Sequence, residues 1–340
     1  MILLYLAITA CCVYANDQDE SLLLSNYNHL PDYTITPIIG ILGDFISSYN
    51  VSRSNAKGKI GNATSYIGSS YIKFLEMSGA RVVPLKLSSS LEEIDKLLSM
   101  VHGVLFTGGD SPFWVENSSV PIYSEYSERA CYIYNKVKEI NNKGDFLPLW
   151  AICQGHEVIH ICENKEFDTI GNFDGMPPYN RAQNFKKEIF QSPLFATNRE
   201  SVSLEVISIL GSTEVSVLAH NLGISIETYE KYPKFKQNFV VLSTMFDKSG
   251  KEFIGLVQSK NYPIFSMQFH PEKNMFEFFR AEYSHGSDGI FAMTYLSNFF
   301  VSLGRKSSHI FPGDYLKESL ISIYPVVYTR YIFESMTLLS

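Results

Sequence analysis

Short apolar runs alternate with amphipathic stretches through the first half of the chain. Pro37-Ile38-Ile39-Gly40-Ile41-Leu42 is a short apolar β run, expected to be the first central strand. Residues 66–78 read as a helix, with Ile67, Tyr71, Ile72 and Leu75 on one face and Gly79 as the stop signal. Arg81-Val82-Val83-Pro84-Leu85 is the next strand, and Pro84 is expected to end it. Ser90-Leu91-Glu92-Glu93 is a capping box that opens a helix with Ile94, Leu98 and Val101 inward. A third strand is predicted over 103–107, running into Gly108-Gly109-Asp110. A longer helix is predicted over 125–143, ended by Gly144, and a fourth strand over 146–152.

The second half changes character. Strands are predicted over 214–218, 239–246, 252–258 and 263–270. The second and third of these are joined as a hairpin by Asp247-Lys248-Ser249-Gly250. A late amphipathic helix over 290–303 is capped by Gly304. Alternating strand and helix predicts an α/β fold, with a mostly parallel central sheet, helices on both faces and an antiparallel extension. No repeat, low-complexity tract or linker divides the chain, so residues 16–340 are expected to form a single domain.

Residues 1–15 change the compartment. Met1 to Tyr14 carries no Asp, Glu, Lys or Arg, and Val13-Tyr14-Ala15 puts small residues where a signal peptidase reads. This is the pattern of a secretory signal peptide. It is too short to span a bilayer, and no later stretch is long and apolar enough to do so, so no membrane association is expected. Three sequons agree with a secretory route: Asn50-Val51-Ser52, Asn62-Ala63-Thr64 and Asn117-Ser118-Ser119. Of five cysteines, Cys11 and Cys12 leave with the signal. Cys131, Cys153 and Cys162 remain, an odd number that implies at least one unpaired thiol. Net charge is -7, and Lys and Arg occur at most in pairs. A partner that must neutralise phosphates is thereby disfavoured, and no nucleic acid is expected.

Three segments place reactive residues beyond strand ends, where open α/β sheets build their sites. In Ala151-Ile152-Cys153-Gln154-Gly155, an apolar strand turns into a helix through small neighbours. That is a nucleophile elbow with a thiol, and the helix N-terminus there favours thiolate. The Gln154 amide points to the same spot as an oxyanion donor. In Phe269-His270-Pro271-Glu272-Lys273, a strand delivers a histidine, and the proline lets Glu272 fold back on the imidazole. A carboxylate on one ring nitrogen leaves the other to take the thiol proton. In Phe106-Thr107-Gly108-Gly109-Asp110, backbone N–H groups without side chains allow close approach, and Gly109 is the second oxyanion donor. A competing pattern, His156-Glu157-Val158-Ile159-His160, matches H-E-x-x-H for zinc. Here it starts in the first turn of its helix and lacks an evident third ligand, so no metal is expected. No phosphate loop or G-x-G-x-x-G occurs, and no cofactor is expected.

Read together, these blocks resemble the γ-glutamyl hydrolase family, the lysosomal and secreted branch of the class I glutamine amidotransferase-like superfamily, peptidase family C26. The likeness begins at Pro37–Leu42. It continues through Ser70-Tyr71-Ile72-Lys73-Phe74-Leu75-Glu76 and Gly79-Ala80-Arg81-Val82-Val83-Pro84. It takes in 103–109, the Cys153 elbow and Gln268-Phe269-His270-Pro271-Glu272-Lys273, and reaches Tyr324-Pro325-Val326-Val327-Tyr328-Thr329. The resemblance implies a flavodoxin-like sheet and a thiol hydrolase cutting γ-glutamyl amide bonds of folylpoly-γ-glutamates. Cys153 would be the nucleophile, His270 the general base and then acid, and Glu272 its orienting partner. Glu157 and His220 fall where the family has further active-site residues. The resemblance further implies no cofactor, a small-molecule poly-γ-glutamate substrate, a homodimer, and a lysosomal or extracellular destination. Departures are Ala151 where the superfamily elbow has glycine, Gln154 and His156 at commonly apolar positions, and a stretch over 44–61 expected as a long surface loop. Rival readings of the same residues are a glutamine amidotransferase-type glutaminase, a non-catalytic secreted glycoprotein of the same fold, and zinc proteolysis.

Overall fold

The computed structural model describes residue 27 and residues 29–46, 59–196, 200–329 and 333–340. The predicted signal segment and the Asn50 sequon lie outside the described residues. An eight-stranded sheet runs in the order β4-β1-β5-β6-β14-β13-β12-β9. Its strands are β1 (Ile38–Leu42), β4 (Arg81–Leu85), β5 (Gly103–Phe106), β6 (Leu149–Ile152), β9 (Asn184–Phe185), β12 (Phe239–Phe246), β13 (Glu252–Ser259) and β14 (Ile264–Met267). The run from β4 to β14 is parallel, and β13, β12 and β9 extend it antiparallel. The smaller sheets use β2 (Asp44–Phe45), β3 (Ser65–Gly68), β7 (Gly171–Asn172), β8 (Tyr179–Arg181), β10 (Ser216–Leu218), β11 (Leu222–Gly223), β15 (Val326–Tyr328) and β16 (Ser335–Leu339).

The period of two along each strand divides the interior into two cores. Ile39, Ile41, Leu105, Trp150, Ile152 and Phe265 face one. Ile38, Leu42, Val104, Phe106, Leu149 and Ala151 face the other. Helices Ser69–Glu76 and Ser287–Arg305 cover the first face, and Leu91–Leu98, Glu125–Asn142 and Gln154–Asn164 cover the second. The capping box at Ser90 forms as expected, with the Ser90 hydroxyl accepting from Glu93 N and the Glu93 carboxylate from Ser90 N.

Several boundaries differ from the sequence reading. Ser65–Gly68 is a strand, not the first turn of a helix, because β16 from the far end of the chain pairs with it and β2 flanks it. Such partners leave no trace in local periodicity. Pro84 sits inside β4 rather than after it, which costs nothing because β4 is an edge strand whose outer side needs no N–H. Strand β10 covers only the end of 214–218 and pairs with β8, away from the central sheet. Gly304 lies within its helix rather than beyond it. Asp44 is not in a surface loop: it is buried in β2, while residues 47–58 of that stretch lie outside the described residues.

Cys131 and Cys162 form a disulfide across Cα atoms 5.3 Å apart, joining helix Glu125–Asn142 to helix Gln154–Asn164. Cys153 is then the unpaired thiol of the described residues.

Candidate active site

Strand β6 ends at Ile152, and Cys153 takes the turn at φ 53°, ψ -110°. A non-glycine residue at positive φ costs roughly 1–3 kcal/mol and persists only where its surroundings hold it. Here Cys153 N donates to Met267 O at 2.8 Å, Gly155 N to Thr107 O at 3.1 Å and Glu157 N to Cys153 O at 2.9 Å. Gly155 cannot carry a side chain, because a Cβ there would meet Phe106 O and Phe106 Cβ at 2.7 Å. The small residue in the elbow thus lets the new helix cross tightly over β5.

His270 lies past the end of β14, and its N–H donates to Val217 O at 2.8 Å, which ties the turn to β10. Its Nδ1 lies 2.8 Å from Glu272 Oε1 and both side chains are buried. Donation of Nδ1–H to that carboxylate leaves Nε2 as an acceptor, and Nε2 is buried with no hydrogen-bond partner among the described residues. Tyr71 completes the arrangement. Its hydroxyl accepts from Gly108 N at 2.9 Å, lies 3.2 Å from His270 Nδ1, and hydrogen-bonds Glu272. The imidazole and the thiol flank the same glycine. A Cβ built on Gly108 would stand 2.9 Å from His270 Cε1 and 3.2 Å from Cys153 Cβ.

Gly109 is equally constrained: a Cβ there would lie 2.1 Å from Asp44 Oδ2 and 2.3 Å from Gln154 Oε1. Asp44 braces this loop by accepting from Asp110 N at 2.7 Å and Ser111 N at 3.2 Å. Gln154 divides its amides. Its side-chain Nε2 donates to Ser111 O at 2.8 Å, while its backbone N–H hydrogen-bonds the Cys153 sulfur. Of the Gln154 amides, the backbone N–H is therefore the one that reaches the Cys153 sulfur.

Glu157 and His220 both line the cavity with Cys153, His270, Gly108 and Gly109, in a volume of about 720 Å³. Gln268 Nε2 bridges Glu157 Oε1 at 2.9 Å and Cys153 Sγ at 3.8 Å. Burial pushes the Glu157 carboxyl up to about 7, opposed in part by the Gln268 bond. Burial also pushes the His220 imidazole down to about 4, and its Nδ1–H donates to Leu222 O at 2.6 Å.

Burial raises the Cys153 thiol well above its ordinary value, and the Glu157 charge adds to this, while Lys273 and the Gln154 N–H oppose. The helix N-terminus was expected to favour thiolate; the burial of Cys153 acts in the opposite direction and is the largest cause of its shift. Burial lowers the His270 imidazole, against the pull of Glu272. Burial alone would raise Glu272, but His270, their hydrogen bond and Lys273 hold it below the ordinary carboxylate range. Burial thus opposes charge on both the thiol and the imidazole, and Glu272 orients the imidazole.

The H-E-x-x-H residues diverge. Glu157 faces the cavity, but His156 and His160 are fully buried and do not line it. His156 Nδ1 meets Ser266 Oγ at 2.8 Å, and His160 Nδ1 donates to His156 O at 2.8 Å. Among the described residues, no group of three His, Cys, Asp or Glu side chains is arranged to hold a metal. Asn62 and Asn117 are both exposed.

Sequence reasoning did not single out Tyr71, Asp44 or Gln268. For Gln268, a signal was present: it stands two residues before His270, on the same side of an extended segment. Nothing local marks Tyr71, which reads as one more apolar helix position.

The family model described as Peptidase C26 matches residues 37–272, a span that holds the elbow, the paired glycines and the His-Pro-Glu turn. Gamma-glutamyl hydrolase B of Dictyostelium discoideum is 34% identical over 310 residues, covering 90% of this chain and 83% of that protein. Gamma-glutamyl hydrolase of Bos taurus is 32% identical over 296 residues, covering 86% of each. Gamma-glutamyl hydrolase of Homo sapiens is 30% identical over 308 residues, covering 86% of each. The chain belongs to the peptidase C26 family, among its γ-glutamyl hydrolases.

Proposed function

We propose that this chain is a thiol hydrolase that cleaves γ-glutamyl amide bonds of poly-γ-glutamate substrates, folylpoly-γ-glutamates among them, through an acyl-enzyme on Cys153. One observation carries the assignment of roles: His270 has one ring nitrogen taken by Glu272 and the other unpartnered, in the cavity that also holds Cys153.

The steps follow from that arrangement. His270 Nε2 takes the Cys153 proton as the sulfur attacks the γ-carbonyl carbon, and Glu272 stabilises the imidazolium that forms. Charge develops on the carbonyl oxygen, where the Gly109 and Gln154 backbone N–H groups are the donors. The C–N bond breaks as His270 passes its proton to the leaving amine. His270 then takes a proton from water, the oxygen attacks the thioester, the C–S bond breaks, and the thiol is restored. Burial that opposes charge on both groups suits this order, because an oxyanion held by the N–H groups accompanies the charge separation.

The reading includes a secretory route. The Cys131–Cys162 disulfide supports it, since such bonds persist in oxidising compartments, as do the exposed Asn62 and Asn117 sequons. Among the described residues, no helix is long and apolar enough to cross a membrane.

The test is turnover of a diglutamyl folate by the purified protein and by Cys153→Ala. Parental hydrolysis with release of glutamate, abolished in the variant at unchanged melting temperature, is the expected result. Equal rates in the two proteins would refute the assignment.

A further inference from the structure

Charged side chains of both signs line the cavity. Asp110, Glu116 and Glu157 supply the acidic groups, and Lys273 and Arg280 supply the basic ones. The two cations are not equivalent. Lys273 is buried, stands 3.9 Å from Glu272 Oε1, and lies over the Phe333 ring at 4.5 Å and the Tyr283 ring at 5.5 Å. Its charge is already balanced by the site. Arg280 is half-buried. Among the described residues it makes no ion pair and donates no side-chain hydrogen bond, and its recorded neighbours are aromatic rings, with Phe279 at 5.5 Å from its guanidinium carbon.

The backbone that presents Arg280 is braced on both sides. Before it, the Glu277 carboxylate accepts from Glu334 N at 2.6 Å. After it, Asn180 Nδ2 donates to Glu282 O at 2.6 Å, Asn274 Nδ2 donates to Ser284 O at 2.7 Å, and His285 Nδ1 meets Asn274 O at 2.8 Å. A guanidinium on a fixed segment, facing a cavity and lacking an anion, is pre-organised for a planar two-oxygen ligand.

We propose that Arg280 is the specificity residue that receives the free α-carboxylate of a substrate glutamyl unit. This rests on the γ-glutamyl hydrolase reading above. A γ-linked glutamate keeps its α-carboxylate beside the scissile amide, so every productive substrate brings an anion into the cavity. The acidic side chains repel that anion, Lys273 is engaged, and Arg280 is the cation left to bind it. The same geometry accounts for selection of γ- over α-linkage, since an α-linked unit has no carboxylate at that place.

Two measurements test this. The first compares kcat/KM for a γ-glutamyl amide with that for its α-carboxamide analogue, in the parent, Arg280→Gln and Arg280→Lys. The parental preference for the free carboxylate should fall at least about tenfold in Arg280→Gln, mainly through KM, and recover in part in Arg280→Lys. An unchanged preference in Arg280→Gln overturns the inference while leaving the hydrolase reading intact. The second measures binding of di-γ-glutamate to Cys153→Ala by calorimetry, with and without Arg280→Gln, and needs no turnover. Weakening of about tenfold or more supports the inference; equal binding, or none to Cys153→Ala itself, overturns it. Absence of parental turnover with binding intact would instead refute the hydrolase reading alone.

Discussion

One buried histidine lines the cavity and two others, on helix Gln154–Asn164, lie in the core, and they have opposite fates. His270 stands at the cavity with Nδ1 on Glu272 and Nε2 unpartnered. His156 and His160 also have buried, unpartnered Nε2 atoms. Yet the His160 ring stacks on Phe239 with centroids 4.8 Å apart and meets Phe235 edge-on at 5.3 Å. By motif, the second pair is the more recognisable. By environment, it is core. An unsatisfied nitrogen is chemically useful only where a substrate can reach it and a carboxylate fixes its tautomer; walled by aromatic rings, the same atom is a stability cost.

The sharpest way to break this comparison is to remove each imidazole in turn. His270→Ala should lower kcat/KM on a γ-glutamyl substrate by about 1000-fold or more, the scale of losing an essential general base, with little change in the thermal melt. His160→Ala should do the reverse, costing about 2–4 kcal/mol in denaturant unfolding through the cavity left in the core, with kcat/KM in the folded protein within a few-fold of the parent. Comparable activity losses in both variants would erase the distinction.

Acid sharpens it next. Burial, opposed by the bond to His156 O, lowers His160 from 6.5 to about 4. The folded state therefore resists a proton that the unfolded chain accepts. Stability is complete above pH 6.5 and falls as pH drops toward 4, by roughly 3 kcal/mol from this residue if the shift is fully expressed. Urea midpoints measured at pH 7 and pH 4.5 should show the loss, and His160→Phe should reduce it, with His156 and His220, which burial also lowers, supplying the remainder. A midpoint as pH-dependent in the variant as in the parent would assign the acid response elsewhere.

The smallest effect concerns tautomer control. Glu272→Gln keeps the shape but removes the charge that stabilises the imidazolium, and should lower kcat by about 10- to 100-fold with KM nearly unchanged. A KM effect alone would make Glu272 a binding group rather than a positioning one.

Legibility followed range along the chain. The elbow at Cys153, the His-Pro-Glu turn and the paired glycines are local patterns whose backbone requirements are written in adjacent residues. The capping box at Ser90 was readable for the same reason. Where an element depended on a distant partner, the reading failed: Tyr66 and Ile67 fit a helical stripe until β16 claims them for a sheet. Pairing of Cys131 with Cys162 was likewise open, because the spacing of three thiols does not say which two helices pack.

The sequence by itself picked out the side chains proposed here to bear the chemistry, since a strand-ending cysteine before a helix and a strand-ending histidine before Pro-Glu are local patterns. Tertiary structure alone decided their company. Tyr71 reaches His270 across 199 positions, Asp44 braces a loop 66 residues on, and burial raises the Cys153 thiol above its ordinary value. Proximity across such separations, and the desolvation that comes with it, are properties of the packed chain; no short stretch of residues encodes them.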